Sequence, residues 1–321
     1  MKPAPFEYHA PSTAAEAVGL LAGLGDGAKV IAGGQSLVPV LALRLTVFDH
    51  LVDIGRIGEL RGIERRGAGA AGGDAVWIGA GTTEATIGRS ELVAGAVPLL
   101  TRATPLIGHF QIRNRGTIGG SLAHADPSAE YPAVALALDA TIETLSPRGR
   151  RAIPAGEFFA GIWTTALEPD ELLTGVSFPA AGPSAPGKVA GFDRARTGGY
   201  GGSSPRKTTG FAIEEFARRA GDFAVAGAAV AVELDGGGRV TRCRIALFGV
   251  GPTPLRAPAA EAAVLGTAAD DIDAAETGRA AVAGLDSVPS DLHGTADYRK
   301  KVGAVMVARA LSRAVLEARH G

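Results

Sequence analysis

The chain is poor in cysteine, in aromatic residues, in uncompensated charge and in long apolar runs. Its 321 residues include one cysteine, Cys243. An intrachain disulfide is therefore excluded, and so is an iron–sulfur cluster held by this chain alone, which needs several thiolates. Cys243 lies in the strand-like run VTRCRIALFGVG and reads as a small buried hydrophobe. Aromatic residues make up 5%, too few for a stacking platform on single-stranded nucleic acid. Lys and Arg number 32 against 33 Asp and Glu, a net charge of −1, so no basic nucleic-acid surface is expected. The longest apolar stretch, Phe223 to Val232, is about half of a membrane span, and no span is expected. The opening MKPAPFEYHAPSTAAEA has no apolar segment of signal-peptide length, which points to a cytoplasmic location.

What the chain has in quantity is glycine, 46 residues, suited to tight turns and close backbone approaches. With 46% hydrophobic and 20% charged residues, the composition is that of a globular protein with a core large enough for two or three domains.

The pattern along the chain is α+β. FEYH reads as a strand, and Ala14 to Leu24 as a helix capped by Ser12 or Thr13 with Glu16 as capping-box partner. Gly25 to Gly27 ends it and KVIAG enters a sheet. SLVPVLALRL is a short helix or turn, HLVDIGRI a strand, and Ile57 to Ile63 leads into a hairpin ending at AVWIGAGTT. The next stretch is mostly helical with a break near Pro98. A Gly-Gly turn, a helix from about Glu130 and a strand follow, and this first half ends near Pro179. Residues 180–210 are rich in Gly, Ser and Pro and read as a linker or loop. The remainder, 211–321, reads as two long strands joined by a Gly-rich hairpin, then helices. The last helix is expected to turn Val302, Val305, Met306, Leu311 and Val315 to the core.

Two glycine segments carry the functional signal: Ala32-Gly33-Gly34-Gln35-Ser36 and Thr117-Ile118-Gly119-Gly120-Ser121. Neither matches the G-x-G-x-x-G fingerprint, and neither is a Walker A loop, because the lysine is missing. Successive N–H groups in such turns form a concave anion nest, and two nests from separate segments can clamp a diphosphate. Gln35, Ser36, Thr117 and Ser121 would add neutral donors. Read singly, each is a plain tight turn. The pair, with RNRG before the second and AHADPSAEYP after it, is more specific. Neither a catalytic triad, nor paired carboxylates, nor a metal-ligand cluster stands out, so no catalytic and no metal-ligating residue is assigned.

AGGQSLVPVLALR and IRNRGTIGGSLAHADPSAEYPAVALALDA closely resemble the flavin-binding medium subunits of the molybdenum hydroxylases. The resemblance continues through EFARRAGDFAVAGAAVAV, GVGPTPLRA and DLHGTADYRKKV and leaves out only 180–210. It implies a vanillyl-alcohol-oxidase-type FAD-binding domain over 1–179, in subdomains of about 1–57 and 58–179. A C-terminal domain of antiparallel sheet and helices would follow. It implies FAD held by Ala32 to Leu37 and by Thr117 to Ser121, with Glu130 accepting hydrogen bonds from the adenosine ribose. Ala123, Asp126, Leu172 and Leu173 would lie near the flavin, and Arg218, Arg219, Gly221 and Asp222 at the start of the C-terminal domain. Where relatives place a Tyr or Lys near the flavin, this chain has Ile213 and Glu214; where some have His, it has Gln35.

The residues themselves allow plainer roles. Glu130 suits a helix N-terminus, and Asp126 before Pro127 suits a turn. His109, His124 and His293 read as structural, and Arg113 and Arg115 as pairing with acidic groups or a partner subunit, or as a solvated surface. By the resemblance, a small subunit would carry [2Fe-2S] clusters and a large one the molybdenum cofactor, giving a dimer of heterotrimers in which this chain passes electrons to an external acceptor. The other readings are a stand-alone FAD oxidoreductase of the same fold and a non-enzymatic module without FAD.

Overall fold

A computed structural model describes residues 2–67, 74–181 and 208–320, so most of the expected linker lies outside the described residues. The chain opens with β1 (Glu7–His9), α1 (Ala14–Leu24), β2 (Ala28–Ile31), α2 (Leu37–Ala42) and β3 (His50–Asp53). Thr13 caps α1, its hydroxyl accepting from the Glu16 N–H at 3.1 Å. The Glu16 carboxylate reaches back to the Ser12 N–H at 2.8 Å, one residue before the capping position. Ala14, Ala17, Val18 and Leu21 form the buried stripe of α1 and pack on Val52, Ile54, Ile57 and Leu60. The three strands form a parallel sheet in the order β1-β3-β2. Ala32 to Ser36 therefore leave the carboxyl end of an edge strand, where parallel sheets open towards ligands.

The next unit is built on β4 (Ile63–Arg66) and β5 (Ala75–Gly79), followed by six helices: α3 (Glu84–Gly88), α4 (Glu91–Ala96), α5 (Pro98–Ala103), α6 (Phe110–Arg113), α7 (Ile118–His124) and α8 (Glu130–Ala137). The chain returns through β6 (Thr141–Ser146), β7 (Gly149–Pro154), α9 (Ala155–Phe158), β8 (Phe159–Gly161), β9 (Thr164–Thr165) and β10 (Leu172–Pro179). Five of these strands form an antiparallel sheet in the order β4-β5-β10-β6-β7. Every residue of α8 is buried, which explains why EYPAVALA shows no polar face.

The last unit is the antiparallel sheet β11 (Thr208–Phe216), β12 (Ala226–Leu234), β13 (Val240–Phe248) and β14 (Leu255–Arg256), in that order, covered by α10 (Pro258–Val264), α11 (Ala274–Ala283) and α12 (Ala296–His320). The β12–β13 hairpin is the expected one. β11 is an addition, and it starts at Thr208, inside the segment 180–210 read as linker. Cys243 is fully buried in β13, and loss of solvent pushes its thiol up to about 12.

The expected stripe on α12 needs one correction. Val305 is exposed, while Gly303, Val307, Ala310, Ala314 and Ala318 join Met306, Leu311 and Val315 on the buried face. Small residues dominate because α12 lies directly on the sheet. A Cβ added at Gly210 of β11 would strike the Ala314 carbonyl and come within 2.7 Å of the Ala318 nitrogen. At the far end Arg299 is buried, donating to the Val225 and Gly249 carbonyls at 2.7 and 3.0 Å and to Asp291 at 2.7 and 2.8 Å.

Backbone contact of this kind leaves no room for a methyl group. Gly210→Ala is expected to lower stability by about 1–3 kcal/mol, read as a shifted denaturation midpoint with unchanged slope. A midpoint equal to that of the parent would contradict the packing.

Candidate functional site

The two glycine segments, 85 residues apart at their centres Gly34 and Gly119, meet in space. A Cβ on Gly33 would strike the Arg115 carbonyl oxygen and lie 2.7 Å from its carbon and 2.9 Å from Gly116 Cα. On the other side, a Cβ on Gly120 would be 3.8 Å from Ala32 Cβ. The first segment is thus seated against the start of the second.

Their backbones differ. Among the described residues, nothing accepts a hydrogen bond from the N–H groups of Gly33, Gly34, Gln35 or Ser36. Gly34 has φ +73°, a left-handed conformation that turns the run back on itself, and the Gln35 amide donates to the Gly33 carbonyl at 2.9 Å. Ser36 stands at the N-cap of α2 without a side-chain capping bond, and Leu37 is its first residue. These N–H groups are left without an acceptor among the described residues, as an anion nest requires.

The second segment is not a turn but the start of α7, and its expected nest is absent. Thr117 is the N-cap, and its hydroxyl accepts from Gly120 N–H at 3.1 Å. Ile118 N–H goes to the Thr82 carbonyl, Gly119 N–H to Ala80 and Ser121 N–H to Thr117. Helix start and docking on the end of β5 consume these donors. Gly119 is required for that docking, since its Cβ would lie 2.5 Å from Ala80 Cβ, rather than for room beside a ligand. Ile118 is wholly buried in the core. What this segment turns to the first is the bare Gly120.

The other expected site residues spread out. Ala123 is exposed on α7. Asp126 is a turn former: its carboxylate accepts from Ser128 N–H at 2.9 Å and from the Trp163 indole at 3.3 Å. Leu172 and Leu173 are buried side chains in two different cores, so only their backbone remains for a ligand. Glu214, where relatives place a Tyr or Lys, is tied to Arg313 of α12, and Ile213 packs on the core. Arg113 neither pairs with an acid nor points to solvent alone. It braces the loop before α6, donating to the Ile107 and Gly108 carbonyls at 2.7 and 2.8 Å. His124 stacks on Trp163, and burial lowers its pKa against the pull of Asp126.

Glu130 is the first residue of α8 and is 5% exposed. Burial, reinforced by Glu215 and then by Glu84 and Asp126, raises its pKa to about 8. Glu84 and Glu215 were missed in the sequence. Burial raises each to about 7, and one carboxylate oxygen of each is buried with no partner among the described residues. Glu84 sits under the glycine junction, at 2.8 Å from where a Cβ on Gly116 would be. Nothing in TTEATIG separates it from an ordinary first-turn acid, and Glu215 lies in the strand that the reading omitted. A cleft of about 360 Å³ opens nearby, where the 105–113 segment meets Ala220 and Gly221 of the C-terminal unit. Gly221, with φ +85°, has its Cβ position 2.8 Å from the His109 ring. A second surface cavity, about 530 Å³, lies away from the glycine junction and is lined by the Arg148–Asp170 and Arg151–Glu171 ion pairs.

Residues 4–181 match the family model of the FAD binding domain in molybdopterin dehydrogenase, and residues 211–314 that of the CO dehydrogenase flavoprotein C-terminal domain. The chain belongs to the FAD-binding medium subunits of the molybdenum hydroxylases. It is 39% identical to the carbon monoxide dehydrogenase medium chain of Hydrogenophaga pseudoflava over 98% of both chains. It is 40% identical to the 6-hydroxypseudooxynicotine dehydrogenase complex subunit alpha of Paenarthrobacter nicotinovorans, over 99% of this chain and 97% of that one. The solved carbon monoxide dehydrogenase from Hydrogenophaga pseudoflava that lacks the Mo-pyranopterin moiety superposes with a TM-score of 0.84 and 41% identity, covering 99% of this chain and all of that one. No helix among the described residues is long and apolar enough to cross a membrane.

For a medium subunit the residues fit FAD on their own chemistry. Four N–H donors without an acceptor among the described residues suit a diphosphate, and the buried Glu130 carboxylate suits ribose hydroxyls.

The carboxylates also fix a pH dependence. Below about pH 4.5 the folded and unfolded chains both carry these protons. From there to about 7 or 8 only the folded chain holds them, so stability falls as pH rises through that window and then levels. In flavin-free chain, Glu130→Gln should make this fall shallower. The check is the denaturation midpoint at a series of pH values; parallel curves for parent and variant would refute it.

Proposed function

We propose that this chain holds FAD and relays electrons within a molybdenum-containing hydroxylase. The observation that carries the reading is the run of unpartnered N–H groups at Gly33 to Ser36, facing bare Gly120, in a chain of this family. In this reading Ala32 to Leu37 receive the diphosphate through backbone donors, and Thr117 and Ser121 add hydroxyls. Glu130 binds the adenosine ribose, and Ala123, Asp126 and the backbone of Leu172 and Leu173 border the flavin. Binding ribose hydroxyls favours the ionised carboxylate, so Glu130 releases its proton as the nucleotide arrives. The bound flavin supplies the redox chemistry, and the protein supplies position and electrostatics.

The same reading assigns a small partner subunit with [2Fe-2S] clusters as electron donor and a large partner with the molybdenum cofactor as the site of substrate oxidation. It places a dimer of such heterotrimers in the cytoplasm, delivering electrons to an external acceptor. Support comes from the full-length likeness to medium chains and from the single buried cysteine, which leaves cluster ligation to another chain. The domain division at 1–179, 180–210 and 211–321 belongs to this proposal as well.

Two outcomes are expected. Gly33→Ala must push the glycine segments apart, so FAD affinity should drop about 10- to 100-fold, measured by flavin fluorescence titration. In anaerobic mixing, substrate of the complex should bleach the flavin absorbance only when the small and large subunits are both present. Bleaching of the isolated chain by an organic substrate would replace the relay with a stand-alone oxidoreductase.

A further inference from the structure

On the parallel sheet, Glu7 and His9 project from the same face of β1, two residues apart. Glu7 is paired in register with His50 of the central strand β3. His9 Nε2 lies 3.2 Å from His50 Nδ1, and the Glu7 carboxylate lies 3.5 Å from the same His50 nitrogen. One ligand atom from each of the three falls within 4.8 Å of the other two. A tetrahedral ion with ligands at about 2.0–2.1 Å has ligand–ligand edges of about 3.3 Å. The two short separations are those edges. The arrangement is held by strand pairing and not by flexible loops. The Tyr8 hydroxyl bonds to Asp53 on the opposite face and locks the same two strands together.

We propose that Glu7, His9 and His50 bind a late first-row divalent cation such as Zn²⁺, with solvent at the fourth position. Two imidazoles and one carboxylate select against Mg²⁺ and Ca²⁺, which take oxygen ligands. Glu7 is largely exposed and closes the site from solvent, while His50 is mostly covered. The bound ion would staple the edge strand β1 to β3, in the sheet whose β2 end delivers the Gly33–Ser36 segment. The plainer arrangement of the same groups is a proton shared between the two histidines, and the experiment separates the two.

Untagged, flavin-loaded full-length chain, stripped with chelator, is titrated with Zn²⁺ by calorimetry and with Co²⁺ by visible absorption. The expected result is one ion per chain and a ligand-field band typical of low-coordinate Co²⁺. His9→Ala and His50→Ala should each weaken binding by about 100-fold or more, and Glu7→Gln less, since even ligand-orienting partners are worth 10- to 100-fold. His320→Ala, on the far end of α12, should leave it unchanged. Retained flavin absorbance shows that each variant is folded. Absence of stoichiometric binding, or binding of parental strength in both histidine variants, would overturn the proposal and leave a hydrogen-bonded histidine pair.

Discussion

The architecture depends on one close approach: the backbone of Gly33 lies on the backbone of Arg115 and Gly116 with no space for a Cβ. That contact joins the parallel sheet to the helical layer over the antiparallel one. Each side prepares it separately. The first segment is brought by edge strand β2 and turned by the left-handed Gly34. The second is pinned by Gly119 on Ala80 and by the Glu84 N–H bonded to the Gly116 carbonyl. Division of labour follows. One segment keeps its donors free, and the other spends its donors on being rigid.

Electrostatics around this junction is set by exclusion of water. Glu84, Glu130 and Glu215 come from three separate elements, α3, α8 and β11, and one carboxylate oxygen each of Glu84 and Glu215 is buried with no partner among the described residues. Taking a carboxylate out of water favours its neutral form, which is the direction all three take. A nucleotide offering hydroxyl donors would relieve the most buried of them. The C-terminal unit takes part directly, since β11 supplies Glu215.

Much of this was readable in the chain. The apolar spacing of α1, its Thr13 cap and the first glycine segment led to the elements that form, and the family resemblance led to the cofactor. What resisted reading had physical causes. Gly119-Gly120 looks like a turn, yet Thr117 can cap, and the glycines serve helix packing against Ala80. β11 emerges from a glycine-rich stretch and carries adjacent Glu214 and Glu215, one on each face, so it shows no strand pattern. Leu172 and Leu173 alternate into different cores, which a run of two leucines does not announce. The stripe of α12 was misplaced at Val305 because alanine and glycine, not large apolar residues, mark a face pressed against a sheet.

One buried cluster unites residues from both family modules. Leu99, Leu122, Val134 and Phe158 pack in the same core as Phe211, Ala229, Ala246 and Phe248. Asp139 at the end of α8 bonds to Arg242, Arg244 and Arg256, and Arg102 of α5 to Glu317 of α12. The boundary between modules in the sequence is therefore not a boundary in free energy. Severed at Gly210, the first module would present a greasy helix to water and the second a bare sheet. A shared core of this kind favours melting of the pair as one body.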